Sequence, residues 1–268
     1  MTPKRHWAEM NWAEIAAADP ARWIAVLPVG AIEQHGPHLP LATDALIGEG
    51  YLSRALALAP PELPFTVLPP LTIGLSTEHQ AFPGTLSFSV ATAIAMLGEI
   101  GAGVQRAGVR KLLIMTSHGG NVEISDIVAR DLRARFGMLV VTCAWSRFGY
   151  PPGLFADDEI RHGIHGGAIE TSLMLAYRPD LVVRPAAVQA TPASVAMASE
   201  FSWLGPHGPA GFGWMTQDLN ASGAVGDARS ASAAKGEAAL IHGAEAFIAL
   251  LQEIDRFDPV RLAAGPLD

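Results

Sequence analysis

Four short apolar runs constrain this chain more than any other feature: Ile24 to Val29, Phe65 to Leu68, Lys111 to Thr116 and Met138 to Ala144. A strand with one wet face alternates polar and apolar residues. These runs do not, so each reads as a strand covered on both sides. Stretches of helical period lie among them, roughly Asp44 to Ala57, Val90 to Ala107 and Glu123 to Phe136; Ile94, Leu97, Ile100 and Val104 fall on one face of the second. Parallel strands need long crossovers, and helices are the usual ones. The order therefore predicts an α/β fold with a mostly parallel sheet between two layers of helices, and ligands gathered beyond the carboxyl ends of the strands.

Two further helices are expected, Gly166 to Tyr177, ended by Arg178-Pro179, and about Ala231 to Ile254. Between them, Pro192 to Gly226 is rich in Gly, Ser and Pro and reads as a long surface excursion carrying Trp203, His207 and Trp214. No repeat or linker divides the chain. Residues 1–268 are expected to form a single domain with a variable excursion at about 192–226.

A balance of 18 Lys+Arg against 26 Asp+Glu, net −8, argues against a nucleic-acid partner, which needs clustered cations. A single cysteine, Cys143, allows no internal disulfide, so a cytoplasmic location is expected. No run approaches the ~20 apolar residues that span a bilayer. The opening MTPKRHWAEMNWAEI has no apolar stretch after its basic residues, so neither a membrane nor a targeting segment is expected.

Chemistry-bearing residues sit directly beyond the first and third runs. Gly30-Ala-Ile-Glu33-Gln-His35-Gly-Pro-His38-Leu-Pro-Leu-Ala-Thr-Asp44 places Glu33, His35 and Asp44 on one Gly/Pro-rich loop, and in extended chain Glu33 and His35 point the same way. Thr116-Ser-His118-Gly119-Gly120-Asn121 sets a histidine at a strand's carboxyl end. His162-Gly-Ile-His165-Gly166-Gly-Ala-Ile-Glu170 leads into a helix, with Glu170 in its first turn. Taken singly, each has an ordinary reading: a solvated loop, a capping histidine, an acid favourable to the helix dipole. Together Glu33, His35, Asp44, His118 and Glu170 form a His/carboxylate set without thiolate, suited to zinc, manganese or iron, and a dinuclear site is the economical explanation. His165 is then free for proton transfer. Gly74-Leu-Ser76-Thr-Glu-His79-Gln-Ala-Phe-Pro-Gly84-Thr85 reads as a supporting and substrate loop that contributes Ser76. Gly119, Gly120 and Gly166 are candidate substrate contacts, because glycine adds no bulk. Trp145, Phe148, Arg161, Trp203 and Trp214 are candidates for a pocket wall suited to a planar or anionic substrate. His38 and His79 are expected to be supporting groups, and His162, His207 and His242 surface groups.

The strings PVGAIEQHGPHLPLATD, STEHQAFPGT, SHGGN and HGGAIETS, in this order and spacing, resemble the creatininase family of metal-dependent amidohydrolases from about Trp23 to Pro179. The resemblance implies a three-layer α/β/α domain and a homo-oligomer, a hexamer favoured. It also implies two divalent ions, Glu33 and His118 on one, His35 and Glu170 on the other, Asp44 and a water bridging. His165 matches the histidine that protonates the departing nitrogen. The family includes creatinine amidohydrolase, a formylaminopyrimidine-nucleotide deformylase and the mycofactocin precursor peptidase. The expected substrate is thus a small-molecule or short-peptide amide. Gly120 and Arg161 stand where creatininase carries a glutamate and a tryptophan, so creatinine itself is not expected. Two other readings are a non-catalytic ligand-binding protein on the same scaffold and a different hydrolysis, such as that of a lactone, on the same metals. Dinucleotide binding through Gly101, Gly103 and Gly108 lacks its strand-to-helix context.

Overall fold

The computed structural model describes residues 2–207 and 209–262; Met1, Gly208 within the expected excursion, and residues 263–268 lie outside the described residues. In chain order the elements are α1 (Trp12–Ala16), β1 (Ile24–Val29), α2 (Thr43–Leu58), β2 (Phe65–Val67), α3 (Val90–Arg106), β3 (Lys111–Thr116), α4 (Val122–Phe136) and β4 (Leu139–Ala144). There follow α5 (Asp157–His162), α6 (Ala168–Tyr177), β5 (Gln189–Ala190), α7 (Ala193–Glu200), α8 (Thr216–Leu219), β6 (Gly226–Asp227) and α9 (Ala233–Arg256).

The main sheet has the order β2-β1-β3-β4 and is parallel throughout, with Ile24 opposite Phe65 and Lys111, and Thr116 opposite Ala144. Alternation along the strands sorts their side chains to two faces. Ile24, Val26, Leu113 and Met115 pack with Tyr51 of α2, Met174 of α6 and Phe247 of α9. Ala25, Leu27, Leu112 and Ile114 pack with Leu97 of α3 and Val128 and Leu132 of α4. The result is a three-layer α/β/α fold, and burial on both faces is why β1 and β3 carry no polar alternation.

Lys111 is the one cation in these runs. Its Nζ donates to the carbonyls of Ile254 and Asp255, 2.7 Å each, at the carboxyl end of α9, where a positive charge complements the helix dipole. The long helices end as their sequences direct. Ser89 and Ser232 accept from Thr92 N–H and Lys235 N–H at the starts of α3 and α9, and Gly137, at φ 68°, closes α4.

Three boundaries differ from the sequence expectation. Met138 and Leu68 lie outside their strands, and α6 begins at Ala168, because Gly166 adopts φ +60° and turns the chain before the helix starts. The excursion carries α7 and α8 rather than loop alone, and ASVAMASE is a helix-compatible run between breakers. A short antiparallel pair, β5 with β6, was not expected.

The backbones of α6 and α9 approach closely at Gly236, where a Cβ would lie 1.8 Å from the carbonyl oxygen of Ser172. Gly236→Ala must push the helices apart. It is expected to destabilise the protein by about 1–3 kcal/mol or more, read by urea denaturation, as an overpacked contact does.

Candidate metal centre

The carboxyl edge of the sheet sets the site. Beyond β1, the chain is held by Gly30 N–H to Leu71 O and Glu33 N–H to Leu41 O, both 2.8 Å. Asn121 ties this loop to its neighbour, donating to Gly30 O at 3.0 Å and accepting from Leu75 N–H at 2.9 Å. Beyond β3, Thr116 Oγ1 donates to His118 O and accepts from His118 N–H, which fixes the imidazole's root. Asp44 and Glu170 stand in the first turns of α2 and α6. His165 exchanges two backbone hydrogen bonds with Val225 just before α6.

These elements bring all five expected ligands together, with His165 beside them. Asp44 offers Oδ1 to His35 Nε2 and Oδ2 to His118 Nδ1, each at 3.4 Å. Glu33 Oε2 lies 3.2 Å from His118 Nδ1, and Glu170 Oε2 lies 3.7 Å from His35 Nε2. His165 Nδ1 is 3.7 Å from Glu33 Oε1, while its Nε2 meets Gln34 O at 2.6 Å and so carries the hydrogen. Two donors at ~2.0–2.2 Å from one tetrahedral ion stand about 3.4 Å apart, the spacing seen around Asp44. Both oxygens of Glu33, Asp44 Oδ2 and His35 Nε2 are buried and accept or donate no hydrogen bond. Buried polar atoms of folded proteins are as a rule paired, and four unpaired ones converging here fit divalent cations. Glu33–His35–Asp44, His35–His165–Glu170 and Glu33–His79–His165 each bring three donors within 4.8 Å of one another.

Crowding sets the charges. Burial, then the charge of Glu33, pushes Asp44 up to about 7, and burial raises Glu170 as well. Burial also works to raise Glu33, but His118, His35 and His165 outweigh it and hold Glu33 well below the usual range. His35 rises to about 10 because Asp44 and Glu170 overcome its burial. Burial, with His35 and His79 adjacent, holds His165 well below an ordinary imidazole.

The centre opens into a cavity of about 460 Å³ that Gly119, Gly120 and Trp214 help to line. Gly120 has a packing reason as well: a Cβ there would lie 2.5 Å from His118 Nε2 and 2.7 Å from Glu78 Oε1. Six expected wall or contact residues lie elsewhere. Trp145 is core, stacked on Tyr51 at 4.5 Å and packed on Phe247, with Phe148 against it. Ser76 is fully buried and its N–H donates to Ser87 Oγ. Gly166 points its N–H at Glu170 Oε2, 2.6 Å away, and so orients a carboxylate. Arg161 and Trp203 line an adjoining cavity of about 570 Å³.

Among the other histidines, His38 supports α6 through Thr171 Oγ1 at 2.9 Å, and His162 and His242 bond Ser194 and Phe148 O. His207 is exposed, as expected, and lines both cavities. His79 is closer to the centre than expected, its Nε2 3.3 Å from Glu33 Oε1 and its Nδ1 within 2.8 Å of Gln34 and Thr216. Sequence reading missed Glu78, 3.4 Å from His118 Nε2, and Gln34, which reaches both His79 and His165. Both stand inside the motifs, next to residues already singled out.

Comparison with known proteins follows the same lines. A family profile for creatininase, described as creatinine amidohydrolase, matches residues 8–251. This chain belongs to the creatininase family. Creatinine amidohydrolase of Pseudomonas putida is 32% identical over 253 residues, 85% of this chain and 89% of that protein. The mycofactocin precursor peptide peptidase of Mycobacterium ulcerans is 34% identical over 171 residues, 61% of this chain and 62% of its own length, so the match spans less than two thirds of that protein. Two solved creatininases, described as "Creatininase Mn" and as a Zn-Zn type variant, give TM-scores of 0.73 and 0.74 at 30% and 29% identity. Each comparison covers 94% of this chain and 98% of the other. The chain is thus a creatininase-like hydrolase of carbon–nitrogen bonds, and its donor set suits a divalent metal.

Glu159, on α5, is a further residue that sequence reading missed. Its carboxylate accepts from the N–H of Ala168, at the start of α6, and of Asp227 in β6 at 2.5 and 3.0 Å. Gly163, Gly167 and Gly226 close around it, where added Cβ atoms would come within 2.2–2.7 Å of its oxygens. It therefore ties the His165 segment to β6. Glu159→Ala orphans two N–H groups and is expected to cost about 1–3 kcal/mol by chemical denaturation, with Glu159→Gln losing less.

Proposed function

We propose that this chain hydrolyses an amide bond with two divalent ions, Glu33 and His118 on one, His35 and Glu170 on the other, and Asp44 shared. The observation that carries this reading is Asp44, whose two oxygens face two imidazoles at equal 3.4 Å separations amid buried donors that lack partners. Zinc or manganese suits the set. Such ions, when bound, lower the pKa of water and polarise a carbonyl oxygen.

The chain's own groups do the rest. Five carboxylates line the cavity, Glu33, Asp44, Glu78, Glu123 and Glu170, and hold the charge that cations balance. His165 is fixed by its Nε2–H donated to Gln34 O, which leaves Nδ1 aimed at the centre. It takes a proton from the attacking water at Nδ1 and returns it to the departing nitrogen, without which the C–N bond does not break. The low basicity imposed by burial keeps the ring neutral beforehand and makes it a ready donor once charged. The substrate is a cyclic amide, a formamide or a peptide-like amide; Gly120 and Arg161 argue against creatinine.

Elemental analysis of purified protein is expected to give about two metals per chain, lost in Asp44→Ala together with activity. His165→Ala is expected to keep the metal and lose about 10²–10⁴-fold in kcat on an amide panel of formylated aminopyrimidines and short peptides. Metal lost from His165→Ala would instead make His165 a ligand.

A further inference from the structure

The second cavity has a chemistry opposite to the first. Five carboxylates line the metal cavity, whereas among the described residues none lines the adjoining one, which carries Arg161. Arg161 is exposed and enters no ion pair among the described residues. Around it stand Met197, Phe201, Trp203 and Leu204, and three of these are conspicuously wet: Phe201 40%, Trp203 72% and Leu204 44% exposed. Apolar groups gathered around one unpaired cation mark a ligand site more readily than idle surface.

Described residues of the wall between the cavities are tied by hydrogen bonds. Pro206 and His207 line both spaces. Their loop is closed by Gly205 N–H to Ala210 O and Ala210 N–H to Trp203 O, and Trp214 Nε1 donates to Pro206 O at 3.3 Å. His207 also stands edge-on to Trp214 at 5.5 Å. A substrate held over the metal centre thus has a preformed second compartment beside it. Each compartment is within the usual range for small-molecule sites, and a single small ring would fill only one.

We propose that the second cavity binds the non-reacting arm of the substrate, and that this arm carries an aromatic or branched apolar group with an anionic end, carboxylate or phosphate, held by Arg161. The proposal rests on the amidohydrolase reading above and adds the substrate class. A guanidinium matches either anion with two parallel hydrogen bonds, while the aromatic side chains cover the apolar stem. Arg161 orients such a substrate in one sense: anion in the second cavity, amide over the metal centre.

Calorimetric titration of metal-loaded protein with N-acetylphenylalanine, its uncharged primary amide and phenyl phosphate tests this. The wild type is expected to bind the anions about tenfold more tightly than the amide. Arg161→Ala should close that gap, Arg161→Lys should close it in part, and Trp203→Ser should weaken all three ligands. The tighter of carboxylate and phosphate identifies the anionic end. Equal binding of anion and amide, or an anion preference that survives Arg161→Ala, overturns the proposal. So does a Trp203→Ser variant that dissociates an oligomer in sedimentation while binding all three ligands normally, since the patch is then a contact between copies. Failure of the parent reading shows separately, as wild-type protein that holds no metal and hydrolyses no member of the amide panel.

Discussion

Glu33 and Asp44 are taken out of water within reach of one another and of His35 and His118, with four of the atoms in this group left without hydrogen bonds. Burying like charges at this spacing is costly, and the neighbouring imidazoles offset it only in part: Asp44 is still pushed up while Glu33 is held down. The arrangement is unfavourable as a set of side chains and favourable as a set of ligands. The surrounding structure must therefore hold it rigidly from several directions.

It does so through elements that have other reasons to be where they are. The parallel sheet ends β1 and β3 side by side, with Val29 opposite Thr116, so the loops carrying Glu33, His35 and His118 emerge together. Two helices supply the remaining carboxylates from their first turns, where the dipole favours negative charge. The distance between those helices is set by packing far from the chemistry, including the close approach at Gly236 of α9 to α6. Glu159 and the Asn121 bridge then fix the loops to one another. A fault in any of these would displace a donor from the others.

That division explains what could be read in the sequence. Strands buried on both faces announce themselves as unbroken apolar runs, and Glu33, His35 and His118 follow β1 and β3 within a few residues; with Asp44 and Glu170 in helix first turns, the clustered donors were legible from position and residue type. Trp145 was not, because a tryptophan just past β4 looks the same whether it walls a pocket or stacks on Tyr51, and only the placement of α2 and α9 decides. Gly166 was read as room for substrate, but its φ of +60° serves to aim an N–H at Glu170. Glu159 sits among exposed acids in an Asp-Asp-Glu run, and nothing local distinguishes it from them. Its partners lie 9 and 68 residues away.

The same division separates reaction from selectivity. Each group proposed to meet the metals or move the proton hangs on the sheet edge or on helices packed against it. The compartment with Arg161 is instead walled by α5 and the first part of the 192–226 excursion, whereas the later part reaches the centre through Trp214, Thr216 on His79, Gly223 on Gln34 and Val225 on His165. Met197, Phe201 and Trp203 line that compartment and not the metal cavity, so their side chains can change without removing a group from the centre. Identity of about a third with relatives of different named activities accords with this separation of an acidic centre from a second compartment.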